Sequence, residues 1–361
     1  MKFKEISTIR LRNQHIIETE ANTVADVVYA MGAIQAQDHN MARWAIGSRL
    51  PSSTNKMVEK AFNDGEIVRT HLLRPTWHIV SAKDIRWMLE LTAPQIRTVI
   101  RSRDKNLELD EAIYKKSHRI LEKLLTGNNH LTRDEIVVEW AKAKIRTDDN
   151  RAAHILMRAE LDGLICSGSS KNRKLTYALL EERLPRTDNL TKDEALHELA
   201  RRYFTSRGPA TLKDFIWWSG LPVKDVKCAV EMLGEEFNFV VIDEMKFWFN
   251  SASGSSEKVN SNAYLLPAFD EFIIAYTDRS ASLPPEINRK VVSNNGIFWP
   301  IVVVNGQVTG IWRRVISKNK AVIEAQVIRM PDKKTTGLIT KNAERYAHFH
   351  GHEVDVSFSL L

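Results

Sequence analysis

The strongest restriction on the fold is an order of elements that recurs: helices bounded by caps and glycine stops, then a short alternating stretch that doubles back. In the first instance Thr23 is a cap candidate ahead of Val24, Val28, Met31 and Ile34, which have helical apolar spacing. Met57–Phe62 reads as a further helix, stopped by Asn63-Asp64-Gly65. Ile67–Arg74 then alternates like a strand, Pro75 breaks it, and Trp77–Ser81 resumes it. After Asn106 the order returns. Ile113–Leu125 is amphipathic, Thr132 and Glu135 form a capping box, and Asp149–Gly163 has the form of a recognition helix with a glycine stop. A hairpin follows, its tip carrying Lys171, Arg173 and Lys174. From Thr191 to Asn250 helices are again followed by paired strands.

Three helices and a hairpin make a winged helix. The expected fold class is therefore α+β: tandem winged-helix units at 1–105, 106–188 and 189–250, then a C-terminal domain at 251–361. Ser251–Asn262 reads as a linker. Beyond it, short strands broken by Asn294-Asn295-Gly296 and Asn305-Gly306, with a helix near Lys341–His348, predict a small β-barrel or curled sheet.

A net charge of +7 over 361 residues favours a polyanionic partner, nucleic acid ahead of membrane. Two cysteines, Cys166 and Cys228, supply no disulfide framework and no thiolate zinc site. The start of the chain lacks the apolar core of a secretory signal, and no apolar run approaches a membrane span, so the cytoplasm is the expected compartment. No phosphate-binding loop, dinucleotide fingerprint or metalloprotease helix occurs, and no cofactor or metal is expected.

Met31–Asn40 contains the residues of most chemical interest. Gln35 and Gln37 flank Ala36, and on a continuous helix residues two apart face away from each other. Both amides serve one site only where the helix ends or the backbone turns. We therefore expect the pair at a helix end facing a cleft; the other reading is polar decoration of a helix terminus. Asp38 is the rival catalyst, a carboxylate able to activate water. Asp270-Glu271 could bind a metal, although a structural turn explains the pair better without further ligands. Trp217-Trp218 could stack on bases or pack in a core.

Met31–Gln37, Arg69–His78 and Leu265–Phe272, in this order and spacing, resemble the AlkZ/YcaQ-like family of winged-helix DNA glycosylases. That family has a Gln-apolar-Gln signature, and Gln35-Ala36-Gln37 matches it. The resemblance runs from about Ile9 onward. It implies a DNA glycosylase acting on alkylated and crosslinked duplex DNA as a monomer, with Gln35 and Gln37 catalytic and Asp38, Thr76 and His78 as supporting candidates. Phosphate contacts are expected from Arg69, Arg74, Lys171, Arg173, Lys174, Arg313 and Arg314. The alternative is a non-catalytic winged-helix regulator, since most winged helices are regulators.

Overall fold

Capping and one glycine decide the first unit. The computed structural model describes residues 1–187, 190–252, 261–317 and 320–361. After α1 (Ile6–Asn13), α2 spans Val24–Met31 and begins in a reciprocal box. Asp26 N donates to Thr23 Oγ1 at 3.1 Å, and Thr23 N donates to Asp26 Oδ2 at 2.8 Å. Gly32, with φ of +68°, then stops the helix. The chain leaves as a strand, β1 (Ala33–Gln35), and not as the helix through Ile34 that the apolar spacing predicts. Ile34 is fully buried, and a buried strand position satisfies an apolar residue as well as a helix face does. Next come α3 (His39–Gly47), α4 (Asn55–Asn63), β2 (Ile67–Leu72) and β3 (Thr76–Ser81). They form an antiparallel sheet of order β1-β3-β2, in which His78 faces Gln35 on one side and Thr70 on the other. The long α5 (Ile85–Asn106) leads away.

The second stretch contains α6 (Glu111–Leu125), β4 (Leu131–Thr132), α7 (Arg133–Lys142), α8 (Arg151–Leu161), β5 (Ile165–Ser167), β6 (Thr176–Leu179) and α9 (Leu180–Arg183). The Thr132–Glu135 capping box forms as expected. The reading of Asp149–Gly163 as a recognition helix meets an obstacle. No residue of α8 is exposed, and Glu160 on it meets His71 of β2. This helix joins two units and has no free face to enter a groove. The third stretch has α10 (Lys192–Arg207), α11 (Leu212–Ser219), α12 (Val223–Glu231) and the hairpin β7 (Phe237–Ile242) with β8 (Met245–Asn250).

The C-terminal region comprises β9 (Ala263–Leu266), the one-turn α13 (Glu271–Ile274), α14 (Asn288–Val291), β10 (Ile301–Val304), β11 (Gln307–Ser317), β12 (Lys320–Val327), α15 (Lys333–His350) and β13 (Glu353–Leu360). Its strands make one sheet in the order β13-β12-β11-β10-β9. Among the described residues β9 and β13 do not pair, so the barrel expectation fails and the sheet is open. The reason lies in the last connection: α15 carries the chain over the sheet, and β13 returns parallel to β12. The predicted linker falls largely on 253–260, and the 188/189 unit boundary on 188–189, outside the described residues.

Two cores bind the regions together. One joins β3 and α5 to the third-stretch helices through Tyr203, Phe204, Phe215 and Trp218. The other joins α2 and α3 to the C-terminal sheet and α15 through Trp44, Trp312, Tyr346 and Phe349. Both Trp44 and Trp312 satisfy their indole N–H on backbone carbonyls of β9, at 2.8 Å. β1 therefore lies where the first unit, the third stretch and the C-terminal region meet. Among the described residues no helix is long and apolar enough to cross a membrane.

Candidate active site

β1 is short, and only one of its edges has a strand neighbour. The outer edge would leave backbone groups unpaired in the interior, which costs free energy comparable to lost hydrogen bonds. A buried ion pair supplies the missing partners. Arg207, at the end of α10, donates to Met31 O at 2.7 Å and to Ala33 O at 2.6 Å. Glu271, at the start of α13, accepts from Gln35 N at 2.9 Å. The two are joined through Arg207 Nε at 2.9 Å, and Trp218 Nε1 donates to the same carboxylate oxygen at 3.0 Å. Arg207 and Glu271 thus stand in for a neighbouring strand. Asp270 beside them is held by Arg49 in a two-pronged contact at 2.9 and 3.0 Å, and its carboxylate also caps α13 through Phe272 N. Asp270-Glu271 is a structural turn with both carboxylates engaged by arginines.

β1 ends at Gln35, and the chain bends at Gln37 before α3, with Gln35 buried and Gln37 exposed. The helix has thus ended before the pair, at Met31, as a shared site for both amides requires. Ala36 N donates to Trp77 O at 2.7 Å, which continues the ladder with β3. The return bond is not made by Ala36 O, which accepts from Arg69 Nε at 3.1 Å. Trp77 N donates instead to Gln37 Oε1 at 2.9 Å, so a side-chain carbonyl completes the rung. Gln35 is 4% exposed, and its Oε1 accepts from Arg74 Nη2 at 2.8 Å. Gln37 is exposed.

Asp38 is occupied as the N-cap of α3, accepting from Met41 N at 3.0 Å, a sufficient reason for a carboxylate at that position. His78 is fully buried. Its Nδ1 lies 3.0 Å from Thr76 O, and because a carbonyl only accepts, Nδ1 carries the hydrogen. Burial first, and Arg74 second, hold its pKa well below the usual histidine value, so the ring is neutral at pH 7. Among the described residues its Nε2 and the Thr76 hydroxyl have no hydrogen-bond partner. His78 therefore sits opposite Gln35, and Thr76 two residues before it on β3, each with unspent hydrogen-bonding capacity.

Beyond the motif opens a cleft of about 800 Å³, lined by His39 and Asn40 but by neither glutamine. Arg43, Lys56, Arg69, Arg173 and Lys174 also line it. Burial, then Arg69 and Arg43, lower the His39 pKa to about 3; burial, then Arg314, lower that of His350 to about 4. The positive charge here is thus carried by arginine and lysine. Of the seven cations expected to meet phosphate, Arg69, Arg173 and Lys174 come together in this cleft. Arg69 is the least free of them, its guanidinium 4.1 Å from the Trp77 ring centroid and largely desolvated. Lys174 pairs with Asp134, and Lys171, outside the lining, with Glu135. Arg74 is taken up by Gln35. Arg313 is exposed on the sheet over Trp299, and half-buried Arg314 lies 5.9 Å over Tyr346.

The profile of a family described as DNA glycosylase AlkZ-like matches residues 28–349. The chain belongs to the AlkZ-like DNA glycosylase family. This is a family of enzymes, hydrolases that act on N-glycosyl bonds. Among curated relatives, the interstrand DNA cross-link repair glycosylase of Streptomyces sahachiroi is 21% identical over 366 residues, spanning 96% of this chain and 94% of that protein. Among solved structures, the Streptomyces sahachiroi DNA glycosylase AlkZ superposes with a TM-score of 0.80 at 20% identity, covering 99% of this chain and all of that one. The match in fold extends over the same regions that converge on β1.

Sequence reasoning missed Arg207, Glu271 and Trp218 as supports of the site, and Arg74, expected on phosphate, bonds Gln35 in this structure. Glu271 lay in a segment that the family resemblance picked out, but nothing local ties it to Gln35. Of the tryptophan pair, Trp218 is core, whereas Trp217 is 40% exposed and stands beside Arg74. Among the described residues no cluster of three or more His, Cys, Asp or Glu is placed to hold a metal. Cys166 is buried, which pushes its thiol up to about 12 and leaves it unreactive.

Proposed function

We propose that this AlkZ-like chain is a monofunctional DNA glycosylase that hydrolyses the N-glycosidic bond of cationic N7-alkylguanine in duplex DNA, interstrand crosslinks included. It acts in the cytoplasm as a monomer. The three winged-helix units and the C-terminal sheet cradle the duplex, with the basic cleft on its phosphates. The observation that carries this reading is the Gln35-Ala36-Gln37 segment at the end of β1, with each amide oxygen held by a donor of the protein. It holds two neutral amides rigidly beside a basic cleft and supplies no free carboxylate.

The chemistry follows from what amides can do. N7 alkylation makes guanine a cation, so its leaving ability is already high. The bond from C1′ to N9 breaks, both electrons return to the base, and the positive ring becomes neutral. Water adds to C1′ and sheds a proton to solvent. An amide is no base at neutral pH, but it can hold water through the second lone pair of its carbonyl. Its NH2 group can donate to the acceptor edge of the departing base. Such a site serves labile cationic lesions and fails on neutral ones. The likeness to an interstrand cross-link repair glycosylase supports extending the substrate to two-ended adducts. The openness of the cleft supports tolerance of bulk, since a closed base-flipping pocket would reject such adducts on size. A regulator gives no reason for a rigid pair of amides.

The test is a rate comparison on one duplex sequence carrying, in turn, N7-methylguanine, a bulky N7 adduct, an N7 crosslink and uracil. The three N7 lesions should be released as free base, leaving an abasic site in an uncut strand. Efficient uracil release, or a borohydride-trapped protein–DNA adduct, would overturn the mechanism. Binding is expected to be insensitive to sequence and sensitive to salt. A protein that neutralises several phosphates loses roughly 10³–10⁵ in affinity between about 50 and 200 mM salt. Affinity flat across that range in a fluorescence titration would remove the phosphate role of the cleft.

A further inference from the structure

We infer that Arg74 is a positioning residue for Gln35: together with the Trp77 backbone N–H on Gln37, it fixes which end of each amide faces the substrate. The inference rests on the reading that the two glutamines act on the reacting bond.

The two ends of a primary amide are nearly equal in size and opposite in polarity. A glutamine turned by half a revolution offers NH2 where it had offered a carbonyl, so a catalytic amide must be held in one orientation. Here each orientation follows from the partner's chemistry. A guanidinium has donors only, so the atom 2.8 Å from Arg74 Nη2 must be the oxygen of Gln35. A backbone N–H is likewise only a donor, so the atom 2.9 Å from Trp77 N must be the oxygen of Gln37. Both carbonyls are thereby turned onto protein. Both NH2 groups are left without a protein partner among the described residues. The site meets its substrate with two amide donors and with only the spare lone pairs of the two oxygens.

Arg74 is built for this task rather than for phosphate. It is absent from the lining of the basic cleft. It follows Leu73, whose φ is +60°, in the turn between β2 and β3. Its guanidinium lies 5.0 Å from the ring centroid of Trp217 and reaches Trp217 O at 3.4 Å. The end of α11 closes over it at Gly220, where φ is +68°. A β-carbon at that glycine would come within 2.4 Å of Leu73 O and 3.2 Å of Arg74 Cγ. Burial lowers the Arg74 pKa to about 10 while Glu271 opposes the fall, so the group remains a charged donor at neutral pH. A cation on the carbonyl also polarises the amide and strengthens its NH2 as a donor.

The experiment pairs kinetics with a direct view of the amide. Arg74→Met should slow single-turnover release of N7-methylguanine at saturating enzyme by about 10–100-fold, the scale of a misplaced reacting group. Duplex affinity and its salt slope should not change, and Arg74→Lys should restore part of the rate. The loss should vanish in a Gln35→Ala background and multiply in a Gln37→Ala background. With 15N-glutamine labelling, the Gln35 side-chain NH2 resonance, identified by its absence in Gln35→Ala, should move toward a solvent-exposed amide in Arg74→Met and stay in place in Arg74→Lys. A wild-type rate for Arg74→Met, a loss confined to affinity with a shallower salt slope, further slowing on top of Gln35→Ala, or an unmoved resonance would each overturn the inference. If Gln35→Ala itself releases base normally, the catalytic reading fails, and the resonance alone still decides whether Arg74 holds the amide.

Discussion

Gln37→Ala is expected to slow base release by about 10²–10³-fold at saturating enzyme, the range for removing one preorganised contact to the transition state. Gln35→Ala should also slow release, but by less, because Gln37 is the more exposed of the two. Duplex affinity should hardly move in either variant, since a neutral amide adds little to attraction by the phosphates. Gln37→Ala also removes the acceptor of the Trp77 N–H. That group lies toward the open side, so water can replace the lost carbonyl and the fold should persist. Quench-flow measurement of free base against time, with affinity measured in parallel, separates these quantities. Normal release by both variants would show that the reacting groups lie elsewhere.

The second large effect concerns Glu271. Glu271→Gln leaves Arg207 charged in the interior without its counterion, a loss of about 3–5 kcal/mol for a broken buried pair. The denaturation midpoint should fall accordingly, and base release should fall with it. The double variant Arg207→Met with Glu271→Leu is more informative. Well-packed apolar groups often replace a buried ion pair at little cost, but here the backbone groups of β1 lose their partners too, so only the part of the loss due to the unpaired charge should return. Activity should not return, because Met31 O, Ala33 O and Gln35 N would then lack the partners that hold β1 in place. Recovery of both stability and rate in the double variant would mean that the pair only stabilises the fold and does not shape the site.

Much of the local structure was legible because its causes are local. The Thr23 cap, the Thr132–Glu135 box, the break at Pro75 between β2 and β3, and the Asn305-Gly306 turn between β10 and β11 each depend on a few neighbouring residues. The motif was misplaced by one turn of chain. Apolar spacing through Ile34 suggested helix, while Gly32, the residue able to end it with a positive φ, lay inside the pattern. The barrel failed for a different reason. Alternating strands announce a sheet but not its closure, and the sheet stays open because α15 returns the chain parallel to β12. The requirement that the helix end before the glutamine pair could be derived from sequence. How the pair is then held could not, because it depends on register with β3 and on residues far along the chain. Nothing within reach of Gln35 in sequence signals that Glu271 will accept its N–H.

That distance has a consequence for how the enzyme comes into being. Gln35 and the carboxylate that receives its N–H are 236 positions apart. At about 5–20 residues per second of synthesis, the ribosome delivers the second some tens of seconds after the first. During that interval the nascent chain already carries its glutamines, but β1 has only one of its two neighbours. A prematurely terminated product ending before Glu271 would keep basic segments that attract DNA and lack the means to open a glycosidic bond. On the proposed reading of the site, excision would then switch on only late in translation.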